Sequence, residues 1–200
     1  MIEATYLSPY LHHAMMEPFA LTAHFKDGKL EVWGGLQDPL GSRDAAARVA
    51  GLSTDAVTFH PMLLGGGFGR KLPGQIEVIE QAVKLAMESP WPVKVIWPRE
   101  EEVGQGTYRP QTSIVLKAAL GADGKMTAWQ STSSQQTQFE AGMKVLYALP
   151  EVEQLHAEHK SNILTGSFRS VEASQHRFFH ECLVDELAHS NPEGSRHPKR

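Results

Sequence analysis

Short alternating segments open the chain. Residues 21–26 and 29–33 flank Asp27-Gly28, a pair suited to the positive-φ positions of a tight turn, and together they predict a β-hairpin. A further strand pattern begins within four residues of Met1. Ser42 is placed to cap a helix over residues 44–50 that Gly51 ends. Residues 56–60 predict a strand that runs through Met62-Leu63-Leu64 into Gly65-Gly66-Gly67-Phe68-Gly69. Ile76, Ile79, Val83 and Ala86 recur at helical spacing over residues 75–87, and Pro90 and Pro92 stop that helix. Residues 93–97 predict a strand, and residues 99–102 (Arg-Glu-Glu-Glu) a solvated polar exit. Residues 113–120 and 125–131 predict a second hairpin around Ala122-Asp123-Gly124. A closing helix over residues 173–189 puts Phe179, Leu183 and Leu187 on one face. Strands and helices in this order indicate a mixed α/β, or α+β, domain over residues 1–189. Residues 190–200 are polar, carry two prolines and no periodicity, and are expected to form a disordered tail.

Composition narrows the chemistry. At 200 residues, 41% hydrophobic and 21% charged, the chain can bury a real core. A net charge of −4 argues against a nucleic-acid partner held by phosphate charge. No apolar run is long enough to span a bilayer, and residues 1–6 do not begin a signal peptide, which leaves a cytoplasmic protein as the simplest expectation. Cys182 is alone, so an internal disulfide and a multi-cysteine zinc site are excluded.

The glycine cluster is the most informative feature. A strand entering consecutive glycines lets backbone N–H groups approach a ligand with no Cβ in the way, which suits an anion. The spacing matches neither a nucleotide phosphate loop nor a dinucleotide fingerprint, and Lys71 is followed by Leu72 rather than Ser or Thr. A tight turn at a strand end is the plain alternative, but Phe68 between glycines suggests a ring presented to something. His156/His159 and His176/His180 have spacings that could share a metal, yet neither pair has an identifiable third ligand, and both are expected to be structural. Cys182 falls in the apolar stretch of the last helix, where a free thiol is usually a small core residue. No serine stands in a nucleophile elbow.

Four segments occur in order: His13-Ala14-Met15-Met16-Glu17-Pro18, Leu36-Gln37-Asp38-Pro39, residues 64–71 (Leu-Gly-Gly-Gly-Phe-Gly-Arg-Lys) and Gly166-Ser167-Phe168-Arg169-Ser170-Val171. Together they resemble the molybdenum-binding subunit of the xanthine dehydrogenase and aldehyde oxidase family, in its isoquinoline 1-oxidoreductase β-subunit branch. The resemblance covers roughly residues 6–189 and implies the first half of that family's molybdopterin-binding domain. It implies a molybdopterin cofactor with molybdenum, in its cytosine dinucleotide form. The expected reaction hydroxylates an N-heteroaromatic compound or an aldehyde with oxygen from water, electrons leaving through a 2Fe–2S partner. Phe68 would cover the metal's apical side, Gly66, Gly67 and Gly69 would give close backbone contacts, and Arg169 would offer its backbone N–H. Gln37 would line the cofactor site, and Arg109 falls where related enzymes orient substrate. Glu17 belongs to a segment expected to be structural. The family's general base is a glutamate far downstream, absent here, so no catalytic or metal-ligating residue is assigned. The chain is expected to be a fragment, inactive alone and lacking its second cofactor-binding half, and a partner could carry it to the periplasm. A non-catalytic cofactor-binding or assembly module completed by a separate chain is the alternative.

Overall fold

The computed structural model describes residues 1–75, 77–136 and 143–190. In chain order the strands are β1 (Ile2–Ser8), β2 (Ala20–Lys26), β3 (Lys29–Gly34), β4 (Val57–Pro61), β5 (Val93–Ile96), β6 (Thr112–Leu120), β7 (Met126–Gln135) and β8 (Glu151–Glu158). The described helices are α1 (Pro39–Ala50), α2 (Glu77–Met87), α3 (Arg99–Gly104) and α4 (Ala173–Ser190). These elements make an α+β fold divided into two compact units. The loop unit is His12–Tyr108 with Gly166–Phe168; the terminal unit takes Met1–Leu11, Arg109–Thr165 and the described residues from Arg169 on.

In the loop unit the sheet order is β4-β3-β2-β5. The β2–β3 hairpin forms as its sequence predicts, with Asp27 at φ 50° and Gly28 at φ 75° in the turn. β4 lies parallel to β3, which requires a crossover, and α1 supplies it. Alternate strand residues Leu21, Ala23, Leu30, Val32 and Val57 meet the small, apolar faces of α1 and α2. Burying that face, at about 25 cal/mol per Å², is what holds the layer together.

Two local expectations change here. The cap of α1 is Asp38, whose carboxylate accepts from the Gly41 N–H at 2.9 Å, with Pro39 in the first turn. Ser42 instead lies inside the helix, fully buried, its hydroxyl donating to the Asp38 carbonyl at 2.6 Å. Proline at the first helical position needs no N–H partner, so the helix starts at Pro39, five residues before the expected residue 44. In the Glu100-Glu101-Glu102 run, Glu102 is completely buried rather than solvated.

In the terminal unit the order is β1-β6-β7-β8. β1, β6 and β7 are antiparallel neighbours, and β8 joins β7 in parallel. Phe179, Leu183, Val184 and Leu187 of α4 pack on Ile114, Leu116, Ala118 and Trp129, as the helical spacing predicts. Cys182 sits half-buried on the same helix, and burial raises its thiol pKa. Ser190 is the last residue of α4; the rest of the expected tail, 191–200, and Ile76 of the α2 pattern lie outside the described residues.

Candidate functional site

The loop at residues 65–69 is built by two side chains that hold its ends. Glu17 Oε2 accepts from the Gly65 N–H at 2.9 Å and from Lys71 Nζ at 2.8 Å, while its own N–H donates to the Gly65 carbonyl. Gln37 Oε1 accepts from the Gly69 N–H at 2.8 Å and the Lys71 N–H at 3.2 Å. Burial works to raise the Glu17 carboxyl pKa, but the bonds from Lys71 and Gly65 outweigh it and hold the group below the usual carboxylate range. Arg70 and Lys71 are fully buried. Arg70 pairs with Glu77 at 3.0 Å and lies over the Phe19 ring, 4.8 Å from its centroid.

Between those anchors the backbone is shaped for something outside it. Gly66 has φ 100°, Phe68 φ 54° and Gly69 φ 102°, and a bulky aromatic in the left-handed region is strained. Among the described residues, the N–H groups of Gly66, Gly67 and Phe68 have no hydrogen-bond partner. The Phe68 ring is exposed. A Cβ on Gly67 would sit 2.5 Å from Gln37 Oε1, and one on Gly69 would sit 2.2 Å from the Ser167 carbonyl oxygen. The fold therefore brings the glycine motif and the Gly166–Phe168 segment into contact, although about a hundred residues separate them.

His13 joins the same assembly. Its Nε2 lies 2.7 Å from the Ser167 carbonyl oxygen and its ring 4.9 Å from that of Phe168. Burial lowers the pKa of His13 and of His12 beside it. Glu102 sits behind them: Arg99 holds one carboxylate oxygen and also donates to the Met15 carbonyl, and His12 Nε2 is 3.6 Å from the other.

Other expected residues are placed as follows. Gln37 is exposed, and its amide nitrogen has no partner among the described residues. Arg169 follows Phe168 directly and is exposed. Arg109 belongs to the terminal unit, where its guanidinium donates to Ser8 Oγ at 2.6 Å and the Pro9 carbonyl at 3.2 Å; burial lowers its pKa. His156 and His159 bond Ser133 and Ser134, and His176 and His180 are buried on α4. No group of three or more histidine, cysteine or acidic residues is arranged to hold a metal among the described residues. The sequence reading left out His13 and gave Glu17 no more than a structural part. The signal for Glu17 was Arg70-Lys71, two cations leaving a glycine loop that demand acidic partners if buried.

The geometry is that of a backbone cradle, and comparison says which kind. A family model described as the molybdopterin cofactor-binding domain matches residues 1–191. The chain belongs to that family. Its relatives include proteins named xanthine dehydrogenase and aldehyde oxidoreductase, as the ordered motifs imply. It is 30% identical to isoquinoline 1-oxidoreductase subunit beta of Brevundimonas diminuta over 204 residues, covering 90% of this chain and 26% of that protein. The aldehyde oxidoreductase molybdenum-binding subunit PaoC of Escherichia coli (strain K12) is 33% identical over 127 residues, 64% of this chain and 17% of that one. Quinoline 2-oxidoreductase from Pseudomonas putida 86 has the same fold, with TM-score 0.76, 19% identity and coverage of 94% of this chain and 26% of that structure. The chain thus spans about a quarter or less of the length of these relatives. No described helix is long and apolar enough to cross a membrane.

Proposed function

We propose that the loop unit forms one wall of a molybdopterin site in a hydroxylase acting on an N-heteroaromatic compound or an aldehyde. The observation that carries this reading is the row of open backbone donors at Gly66, Gly67 and Phe68, held between the Glu17 and Gln37 anchors. Such donors fit the phosphates and sulfur atoms of that cofactor, because fixed N–H groups stabilise negative charge with no reorganisation when it arrives. Gly66, Gly67 and Gly69 would bring the backbone close to the cofactor, and the exposed Phe68 ring would lie over the metal and limit the access of water to it. By the family resemblance Arg169 would add its backbone N–H and Gln37 would line the site. Arg109, by the same resemblance, would orient a substrate oxyanion. When bound, the cofactor, in its cytosine dinucleotide form, supplies the redox chemistry that adds oxygen from water to carbon, with electrons passed to a 2Fe–2S partner. No residue here is assigned as general base. In this reading that role and the opposite wall belong to the part of the relatives' length that this chain does not match.

The test is molybdenum per chain by elemental mass spectrometry after a mild pull-down from the source cell, with co-purifying proteins identified. Near-stoichiometric metal is expected, falling steeply in Gly67→Val, whose side chain would collide with Gln37. No metal in the intact assembly would overturn the reading.

A further inference from the structure

The loop unit holds a histidine that the proposed cofactor contacts leave unused. We infer that His13 is a positioning residue that sets the peptide between Ser167 and Phe168, and through it the course of the second cofactor loop. The inference rests on the cofactor-site reading above, and its central observation, the contact of His13 with Ser167, does not involve the open donors at Gly66, Gly67 and Phe68.

The Ser167 carbonyl oxygen is gripped from two sides. His13 Nε2 approaches it at 2.7 Å, and Gly69, at φ 102°, leaves no room for a Cβ beside it. A carbonyl oxygen only accepts, so the His13 proton lies on Nε2. Because the peptide is planar and trans, fixing the Ser167 C=O also fixes the Phe168 N–H on the opposite side. The His13 ring then packs on Phe168, so both atoms and ring restrain the same short segment.

The ring itself is held. His12 Nδ1 accepts from the Ala14 N–H at 3.0 Å, and Ala14 takes φ 46°, a turn that throws successive side chains apart. Arg99 donates to the Met15 and Met16 carbonyls while binding the buried Glu102. Glu17 closes the segment on Gly65 and Lys71. One stretch of six residues therefore grips both loops, His13 the second and Glu17 the first.

The test uses the assembly as purified from cells, with His13→Gln, His13→Asn and His13→Phe. Glutamine places an amide N–H near the Nε2 position, whereas asparagine stops short of it and phenylalanine keeps the ring without a donor. Two readouts are taken: molybdenum per chain, and hydrogen–deuterium exchange of the peptide covering residues 166–169. Expected are an about tenfold loss of metal and about tenfold faster exchange in the Asn and Phe variants, with Gln within about twofold of wild type. Equal metal and equal exchange in all four proteins would overturn the role, as would a Gln variant no better than Asn. If Phe fails to fold, Gln against Asn decides alone. If the wild type itself lacks molybdenum, the cofactor reading fails while the exchange comparison still judges His13.

Discussion

Two regions of this protein bury polar groups, and they do so on opposite terms. Around the glycine loop, Arg70, Lys71 and Glu102 are sealed from water, and each has a charged partner: Glu77, Glu17 and Arg99. Between α4 and β7, His180 is equally sealed, yet among the described residues both of its ring nitrogens lack a partner, and so does Trp129 Nε1 beside it, with ring centroids 5.1 Å apart. Charge that is paired to backbone amides fixes a conformation. A neutral ring without partners fixes nothing and costs about 1–3 kcal/mol of lost hydration. The difference teaches that rigidity at the glycine loop comes from paired charge, and that the contact of His180 with Trp129 contributes none of that kind.

The sharpest way to break the contrast is Gly69→Ala. The new Cβ would lie 2.2 Å from a backbone oxygen and 2.7 Å from its carbon, at a φ of 102° that alanine rarely adopts. Neither loop can give, since Glu17, Gln37 and His13 hold both. A loss of about 3–5 kcal/mol is expected in urea unfolding, with Trp33 and Trp97 of the loop unit reporting it. A loss under about 1 kcal/mol would mean the loops are far softer than their hydrogen bonds imply.

Glu17→Ala comes next. It leaves Lys71 buried without its ion-pair partner, but the carboxylate is partly exposed, so the usual cost of breaking a buried pair is discounted to about 2 kcal/mol. The pH dependence carries a sign. The folded pKa of Glu17 lies below 4.5, so the unfolded chain takes the proton first. Its contribution is therefore complete above about pH 4.5 and is lost as pH falls through the folded value. Wild type and Glu17→Ala should converge in stability in acid; a constant gap down to pH 3 would refute the pairing.

How much of this could be seen in the chain beforehand follows the same division. The β2–β3 hairpin, α2 and the α4 face were legible because burial on one side writes a period into the sequence. The glycine cradle was legible because glycines with a phenylalanine among them have few other uses. β8 was not: it is exposed at nearly every position and so carries no alternation, its pairing with β7 resting on backbone bonds and polar side-chain pairs such as Ser133 with His156. Glu102 read as solvent-facing because its neighbours Glu100 and Glu101 are; only Arg99 and the fold around it make its burial tolerable. The meeting of Ser167 with Gly69 was invisible for a simpler reason. It is a steric fact between two atoms about a hundred residues apart, and no local pattern encodes it.

In the terminal unit the sign of the mutational effect should reverse. His180→Leu replaces a partnerless ring with an apolar side chain of similar length and should stabilise by about 1 kcal/mol. Burial pushes the pKa of His180 down to about 3 and that of His176 down to about 4. Below about pH 6.5 the unfolded chain binds protons that the folded one refuses, so stability declines as pH falls. Each of the two histidines adds a slope approaching about 1.4 kcal/mol per pH unit between roughly pH 6 and 4. His180→Leu should remove one such slope and shift the acid midpoint downward. An unchanged midpoint would mean that His180 finds a proton acceptor in the folded chain.

The smallest effect tests the helix start in the loop unit, where two candidate caps compete. Asp38→Ala removes the acceptor of the Gly41 N–H and should cost about 1 kcal/mol, while leaving the Asp38 carbonyl that Ser42 uses. Ser42→Ala keeps the cap and deletes only a hydroxyl whose donor role is internal to the first turn, so it should cost about half as much. A cap effect from Ser42 larger than that from Asp38 would move the helix start back to where the sequence alone puts it. That outcome would also loosen Gln37, because the residue that anchors Gly69 stands immediately before the cap, and its N–H donates to the Lys71 carbonyl at 3.0 Å. A weak cap at Asp38 should therefore appear twice, as a modest loss of stability and as faster amide exchange at Gly69 and Lys71.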